Sequence, residues 1–373
     1  MILTIIVFIL ILGILIFAHE FGHFVSAKKA GVRVEEFGFG FPPRIFGIKK
    51  GETIYSLNLI PVGGFVKIYG EERSQPKAGR PRADKRAFYN KPIWQRAVIL
   101  AMGVFMNLFI AAIFLSIVHG IGVPTIIEDG QEANYRNIQI QIVEIAKNSP
   151  AEQVGIKIGD AISELKVKFP PTADQPQAEK VNEVEDVQNF IAAHIDEEIT
   201  IKIQRGKTVI EKNIIPRLSP PQGEGPTGIA MVKTGIISYP WYQAILKGFE
   251  ATGRLLITII GLVYLLIRNL ITGGKMIGEI AGPVGIYNIT SQMVQLGWVY
   301  VLQFTAILSI NLAIINFLPF PALDGGRLLF LLIEKIKGRP IKPKIEHLAN
   351  SIGFAILILL MIIVTFRDVI KLF

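Results

Sequence analysis

Two histidines and a glutamate stand close together near the amino end of the chain, in the order His19-Glu20-Phe21-Gly22-His23. Residues four apart share one face of an α-helix, so both imidazoles can bind one metal ion while Glu20 stands beside it. Imidazole nitrogen suits Zn²⁺, and a catalytic zinc has three protein ligands and a position left open to water. The spacing therefore predicts a zinc-dependent hydrolase in which Glu20 acts on the attacking water.

A third metal ligand is required, and the chain contains no cysteine. This excludes thiolate zinc sites and cysteine nucleophiles, and leaves histidine, aspartate or glutamate as ligands. His119, His194 and His347 fall in other segments, whereas Asp324 follows a long uncharged stretch that ends in two prolines, Pro319 and Pro321. We therefore expect Asp324 to be the third ligand, just beyond a helix that the prolines end.

These residues belong to a chain that is 51% hydrophobic and 18% charged, which is too apolar for an ordinary cytosolic enzyme. A bilayer core of about 30 Å needs about 20 apolar helical residues. Four uncharged stretches qualify, at 2–18, 97–123, 298–323 and 348–366. The fifth apolar stretch, 255–267, spans about 20 Å as a helix, and we expect it to lie along the membrane interface.

Basic residues orient these helices. Residues 25–96 hold 15 Lys/Arg against 6 Asp/Glu, and residues 327–347 hold 6 against 2, so both segments are expected on the cytoplasmic side. Residues 120–240 hold 12 Lys/Arg and 17 Asp/Glu, a net charge of −5 that suits a domain on the opposite side. The total of +9 is thus the sum of unlike parts, and it does not indicate nucleic acid.

Four crossings satisfy these charges and leave both termini outside. The first and third helices then run in the same direction, which brings Asp324 to the depth of His19 and His23. Ionisable groups at such a depth are costly in lipid and are functional by default. The alternative is that they only reach toward the cytoplasmic interface.

The insert at 124–235 alternates apolar and polar residues, as strands do. We predict a strand at 138–145, a hairpin of 200–204 with 208–215, and helices at 150–154 and 184–194. The stretch Asn-Ser-Pro-Ala-Glu-Gln-Val-Gly-Ile-Lys-Ile-Gly-Asp from residue 148 resembles a PDZ domain, a fold that recruits extended peptides or chain ends. A spacer that only blocks access is the alternative.

The sequence as a whole resembles the site-2 protease family of intramembrane zinc metalloproteases, in the bacterial subgroup with a PDZ insert. The resemblance is carried by HExxH together with Asn-x-x-Pro-x-Pro-x-Leu-Asp-Gly from Asn316. Further segments also match, namely Phe37 to Phe41, Pro61 to Lys67, Gly103 to Asn107 and Gly282 to Gly285. One departure is that the insert has room for a single PDZ-like domain, where some relatives carry two.

The resemblance implies a polytopic α-helical membrane protein of the bacterial cytoplasmic (inner) membrane, with four transmembrane helices, a membrane-associated β-hairpin region and one α+β PDZ-like domain inserted between helices two and three. The expected segments are helix one with HExxH (1–26), a cytoplasmic β region and basic loop (27–96), helix two (97–123), the extracytoplasmic PDZ-like domain (124–235), an interfacial amphipathic region (236–297), helix three with the Leu-Asp-Gly motif (298–326), a cytoplasmic loop (327–347) and helix four (348–373).

The resemblance further implies roles for single residues. His19, His23 and Asp324 would bind zinc, Glu20 would be the general base, and Asn316, Pro319 and Pro321 would help to hold the substrate. The implied substrates are single-pass membrane proteins, such as an anti-sigma factor already trimmed outside or a remnant signal peptide, and the cut releases a cytoplasmic fragment.

A transmembrane substrate must unwind locally, because a helix occupies its own carbonyls. We expect the unwound segment to pair with the edge of a hairpin at 54–69, at Gly63, Gly64 and Phe65. The alternative is a hairpin that only anchors the protein at the interface. A competing function is a non-proteolytic membrane adaptor that tethers peptides through its PDZ-like insert; a transporter is disfavoured because no inverted repeat is visible.

Overall fold

The computed structural model describes residues 2–71, 84–127, 135–167, 179–206, 208–273 and 281–370. In chain order the elements are α1 (Ile2–Lys29), β1 (Val34–Lys50), β2 (Thr53–Ile68), a 3-10 turn (Phe88–Asn90), α2 (Ile93–Ile121), β3 (Val123–Ile126), β4 (Arg136–Ile145), α3 (Pro150–Gln153), β5 (Ala161–Val167), β6 (Glu179–Lys180), α4 (Val184–Ala193), β7 (Ile199–Arg205), β8 (Thr208–Ile214), β9 (Ile229–Ile237), α5 (Trp241–Thr272), α6 (Pro283–Leu296), α7 (Trp298–Phe317), α8 (Asp324–Lys337) and α9 (Pro343–Ile370).

The chain forms two compact units. The first comprises Met1–Ile117, Ile245–Val294 and Val301–Phe373, and the second comprises Val118–Ala244 with Gln295–Tyr300. The predicted insert lies within the second unit, whose bounds are somewhat wider than 124–235.

Five helices of the described chain are long and apolar enough to cross a membrane: α1, α2, α5, α7 and α9. Four of them cover all or most of the stretches predicted to span, although α2 ends at Ile121 and α7 at Phe317, short of the predicted 123 and 323. Helix α7 thus ends two residues before Pro319, as the prolines predicted. The fifth, α5, has 32 residues, far more than the apolar stretch at 255–267, because polar residues on one face continue the helix at both ends. The length of α5 is therefore sufficient for a membrane crossing, and the number of four transmembrane helices stays a prediction.

Helix α5 packs closely inside the first unit. A Cβ added to Gly248 would lie 2.2 Å from Ser116 Oγ of α2, so only glycine permits this approach. Leu255, Leu256 and Ile259 pack against a buried apolar cluster formed by α2 and α7.

Strands β1 and β2 pair differently from the expected hairpin. Phe37 of β1 pairs with both Tyr55 and Val66 of β2, so the segments around 55 and 66 lie on either side of β1 instead of pairing with each other. The tight turn is at Gly51, whose φ is +66°, and Lys50 pairs with Thr53 across it. The prediction of a hairpin at 54–69 was therefore wrong, because a two-residue turn that begins with glycine sets the register instead.

The second unit is built on an antiparallel sheet in the order β3-β9-β4-β5-β7-β8, with β6 beside β5. The predicted strand at 138–145, the β7–β8 hairpin and the helix that begins at 184 are confirmed. Ser149 caps α3 by accepting a hydrogen bond from the Glu152 N–H, as an Asn-Ser-Pro start predicts. Apolar side chains of α4, including Val187, Phe190 and Ile191, close the core under the sheet.

Candidate metal centre

Helix α1 carries His19 and His23 on one face, one turn apart, and both side chains are buried, with exposed fractions of 8% and 7%. Their Nε2 atoms lie 3.2 Å apart. Gly22, on the same turn, lets α2 approach, because a Cβ there would lie 2.3 Å from the Met102 carbonyl oxygen. The motif thus supplies two candidate metal ligands, and its Gly22 also allows the close contact between α1 and α2.

Both imidazoles are oriented from α2 through their other nitrogen. His23 Nδ1 lies 2.8 Å from the carbonyl oxygen of Ile99, which can only accept, so this Nδ1 carries the proton. His19 Nδ1 lies 3.3 Å from the Asn107 amide, whose Oδ1 is buried without a hydrogen-bond partner. Turning that amide over places Oδ1 to accept the His19 Nδ1–H, an orientation typical of metal-binding histidines. Each Nε2 then presents a lone pair.

Asp324 completes the group from the other end of the sequence. It is the first residue of α8, and its Oδ2 lies 3.0 Å from His19 Nε2 and 3.2 Å from His23 Nε2. This oxygen is buried and makes no hydrogen bond. The sequence prediction that Asp324 meets the two histidines is consistent with this position.

Three lone-pair atoms that converge at such distances repel one another unless a cation lies among them. Ligands at about 2.0–2.1 Å from a tetrahedral zinc are separated by about 3.3 Å, close to the three separations found here. Among the described residues, His19, His23 and Asp324 form the one group of three or more ligands close enough to share a metal. The donor set therefore fits Zn²⁺, with one position left for a reactant.

Gly103 of α2 is a site residue to which sequence reasoning assigned no role. A Cβ at this position would lie 2.4 Å from His23 Nε2 and 2.7 Å from His19 Cε1. The two imidazoles occupy the space that a side chain would fill. The motif that runs from Gly103 to Asn107 thus makes room for one histidine pair at its first residue and orients His19 at its last.

A cavity of about 330 Å³ opens beside these ligands, and His19 and Asp324 line it together with Glu20. Gly63 and Gly64 of β2 and Asn316 of α7 line the same cavity. The Glu20 side chain packs against β2, since a Cβ on Gly64 would lie 3.4 Å from Glu20 Cγ. Glu20, the predicted base, thus lies next to the predicted ligands, on the side of the cavity where β2 runs.

Other predicted substrate residues are placed differently. Of the described residues, Phe65, Pro319 and Pro321 are not among those that line this cavity. Phe65 pairs with Gly38 in the sheet, and Pro321 packs against Gly353 of α9. Any effect of these three on a substrate would pass through the strand or the loop that they shape.

Comparison with known proteins agrees with this chemistry. The profile of peptidase family M50 matches residues 7–360. A protein of Clostridium acetobutylicum with a provisional zinc metalloprotease name is 33% identical over 370 residues, covering 98% of this chain and 97% of its own. Zinc metalloprotease RasP of Bacillus licheniformis is 31% identical, and the regulator of sigma-W protease RasP of Bacillus subtilis is 30% identical, each over 99% of both chains.

Proposed function

This chain belongs to peptidase family M50 and is a zinc metalloprotease, and we propose that it cleaves single-pass membrane proteins within or near their transmembrane segments. The observation that carries the proposal is the convergence of His19, His23 and Asp324 beside Glu20, in a cavity lined by residues of apolar helices and of strands β1 and β2.

His19, His23 and Asp324 would hold the zinc ion. When bound, Zn²⁺ polarises the scissile carbonyl and makes water a nucleophile near neutral pH. Glu20 accepts the proton of the attacking water and passes it to the leaving amine. Its place on the turn that carries both histidines fixes it beside the reacting atoms, and packing against β2 restricts its rotamers.

The strand beside the site supports a mode of substrate binding. Gly64 to Ile68 pair with β1 along one edge, and within the described chain no strand pairs with the other edge. An unwound substrate segment can add to this edge, so that its backbone hydrogen bonds are replaced while its scissile carbonyl faces the cavity. Gly63, Gly64 and Phe65 would form this edge, and Asn316 would hold the substrate backbone from α7. Pro319 and Pro321 would act by shaping the loop that follows.

The second unit offers a similar edge, which favours peptide engagement over a purely steric role. Thr234 to Ile237 of β9 are covered by β3, whereas Ile229 to Val232 have no second partner strand among the described residues. Helix α4 lies alongside, and its Glu183 cap pairs with Lys233 of β9 at 2.5 Å. We infer that this PDZ-like unit binds a peptide or chain end here.

The Val232→Pro variant should reduce peptide binding by this unit. If Val232→Pro and Val232→Thr bind peptide equally well, the unit acts only as a steric gate.

In the cell we place the protein in the bacterial cytoplasmic membrane, with four crossings and with both termini and the PDZ-like unit outside. The named activity of the B. subtilis relative, regulation of sigma-W, supports substrates of the anti-sigma class, trimmed outside before the intramembrane cut. Remnant signal peptides share the same form, a single apolar helix with a short outer end.

The decisive experiment is Glu20→Gln in the purified full chain, with zinc content and cleavage of a transmembrane reporter measured together. We expect zinc to stay bound, because the ligands are untouched, and cleavage to fall by about 10²-fold or more. Retained cleavage would remove Glu20 from the mechanism. Asp324→Asn should lower the zinc content, and full zinc content would reassign the third ligand.

The same pair of measurements separates this function from the alternative, a membrane adaptor that only tethers peptides. An adaptor would show no zinc-dependent cleavage in the unaltered chain, and Glu20→Gln would change nothing.

A further inference from the structure

The loop between α7 and α8 delivers Asp324 to the metal centre in an unusual conformation. Ala322, two residues before Asp324, has a φ of +76°, in the left-handed region that residues other than glycine rarely adopt. The Leu323 N–H donates a hydrogen bond of 3.2 Å to the Phe320 carbonyl oxygen, which closes a turn with Pro321 and Ala322 at its centre. Proline at the first central position favours such a turn, whereas the left-handed conformation at the second ordinarily falls to glycine or asparagine, not alanine. It persists only where neighbouring structure holds it.

The neighbouring structure is α9. Asn350 Oδ1 accepts a hydrogen bond of 3.1 Å from the Ala322 backbone N–H. One turn further along α9, Gly353 packs against Pro321, where a Cβ would lie 2.4 Å from the Pro321 carbonyl oxygen. Residues three apart share a helix face, so Asn350 and Gly353 contact the consecutive loop residues Ala322 and Pro321 from the same side.

Ala322, whose N–H is bound by Asn350, lies between two cavities. Ala322 lines the cavity beside the metal centre and also a second cavity of about 360 Å³, which Asn350 lines from α9. On the side of α8 the loop is packed tightly, since a Cβ on Gly325 would lie 2.2 Å from the Leu318 carbonyl oxygen and one on Gly326 would lie 2.2 Å from that of Phe320. At Ala322, by contrast, the loop separates the two cavities. The contact from α9 is therefore made at the point where the loop has a cavity on either side, two residues before Asp324.

We propose that Asn350, together with Gly353, is a positioning residue that fixes the Asp324 carboxylate against His19 and His23 by holding Ala322 in its left-handed conformation. Asn350 itself touches neither the ligand atoms nor the cavity in which the reaction occurs. The inference rests on the proposed zinc ligands, and it extends the metal centre to a helix that contributes no ligand to it.

The test measures zinc affinity by chelator competition on the full chain in detergent, and the absorption spectrum of the Co²⁺-substituted protein. Asn350→Leu removes the acceptor at similar size, and we expect zinc affinity to fall about 10- to 100-fold, as for other partners of metal ligands, with an altered Co²⁺ spectrum. Asn350→Asp keeps an acceptor oxygen and should stay close to the unaltered protein. Ser351→Ala, on the same helix and lining the same second cavity, is the matched control and should change neither readout.

Two further variants keep the proposal testable if Asn350→Leu fails to fold. Gly353→Ala should displace Pro321 and weaken zinc binding while leaving the Asn350 acceptor in place. Adding Ala322→Gly to Asn350→Leu should restore part of the affinity, because glycine adopts positive φ without strain.

Zinc affinity unchanged in both Asn350→Leu and Gly353→Ala would overturn the proposal, as would Asn350→Asp binding as weakly as Asn350→Leu. Asp324→Asn measured alongside separates this failure from that of the proposed ligands. If Asp324→Asn loses zinc and the α9 variants do not, only the positioning role is wrong. If Asp324→Asn also keeps zinc, the ligand set is wrong.

Discussion

At the scale of single residues, the metal centre depends as much on a missing side chain as on those present. Gly103 faces both imidazoles across the contact between α1 and α2, and the space of its absent Cβ is taken by His23 Nε2 and His19 Cε1. Tight interiors transmit even the volume of one methyl group. The ligand geometry is therefore sensitive to this position although glycine has no donor atom.

Gly103→Ala should lower zinc affinity by about tenfold or more, because the new methyl group displaces at least one imidazole from its place. Zinc content after dialysis against a chelator, with the far-ultraviolet circular dichroism of the same sample, checks this. Gly253→Ala on α5 is the matched control, since nothing lies within 4 Å of the Cβ it adds. Equal zinc retention in the two variants would mean that the imidazoles can move aside.

The sequence predicted the candidate ligands but not the residues that support them, for a physical reason. His19 and His23 follow from a local spacing, and Asp324 follows from elimination and helix direction. Gly103, Asn107 and Asn350 act through contacts between segments far apart in sequence. Such contacts depend on how helices pack, and no periodicity along the chain records them.

At the scale of elements, the sequence predicted those turns and helix ends that are determined by residues next to one another in the chain. Arg205-Gly206-Lys207 predicted the β7–β8 hairpin, and Pro319 predicted the end of α7. The β1–β2 sheet was mispredicted because a hairpin was expected within 54–69, whereas the turn is formed at Gly51. Gly63 and Gly64 instead lie in β2 beside the metal centre, and Phe41 packs over Gly63 where its side chain would be.

The corrected sheet sharpens the substrate hypothesis, because the segment at 64–68 forms an edge whose other side pairs with no strand among the described residues. Val66→Pro removes one backbone N–H from this strand, and we expect kcat/KM on a transmembrane reporter to fall about tenfold, the cost of losing one or two backbone hydrogen bonds. Zinc content should not change, since no ligand lies on β2.

Val66→Thr keeps the N–H and the β-branched shape, so it controls for the loss of the valine side chain. If Val66→Pro and Val66→Thr cleave the reporter at the same rate, substrate does not pair with this edge, and the sheet serves only as an anchor.

At the scale of the whole molecule, the metal centre itself bears on the number of crossings. Asp324 and His19 meet at 3.0 Å, so if α1 and α7 both cross the membrane, as we propose, their carboxyl ends lie on the same side of it. If α2 crosses away from that side and α7 returns to it, a single further crossing between them would break the alternation, which supports the proposal of four crossings. Helix α6 has 14 residues, about 21 Å of helix, too short to compensate for a crossing by α5. This argument is independent of the basic residues that led to the same count.

The absence of native cysteine makes this topology directly measurable, because each single-cysteine variant reports one position. With a membrane-impermeant maleimide on intact spheroplasts, we expect Gln222→Cys to be labelled, because we propose that the PDZ-like unit lies outside. Lys337→Cys, at the end of α8, should be labelled only after the membrane is opened. The Thr272→Cys variant, at the end of α5, tests the number of transmembrane helices. If Thr272→Cys is labelled on intact spheroplasts, as expected for Gln222→Cys, α5 stays on the outer side and four helices cross the membrane. Labelling like Lys337→Cys would put α5 through the membrane, and α1 and α7 could then share one metal only if one of them failed to span.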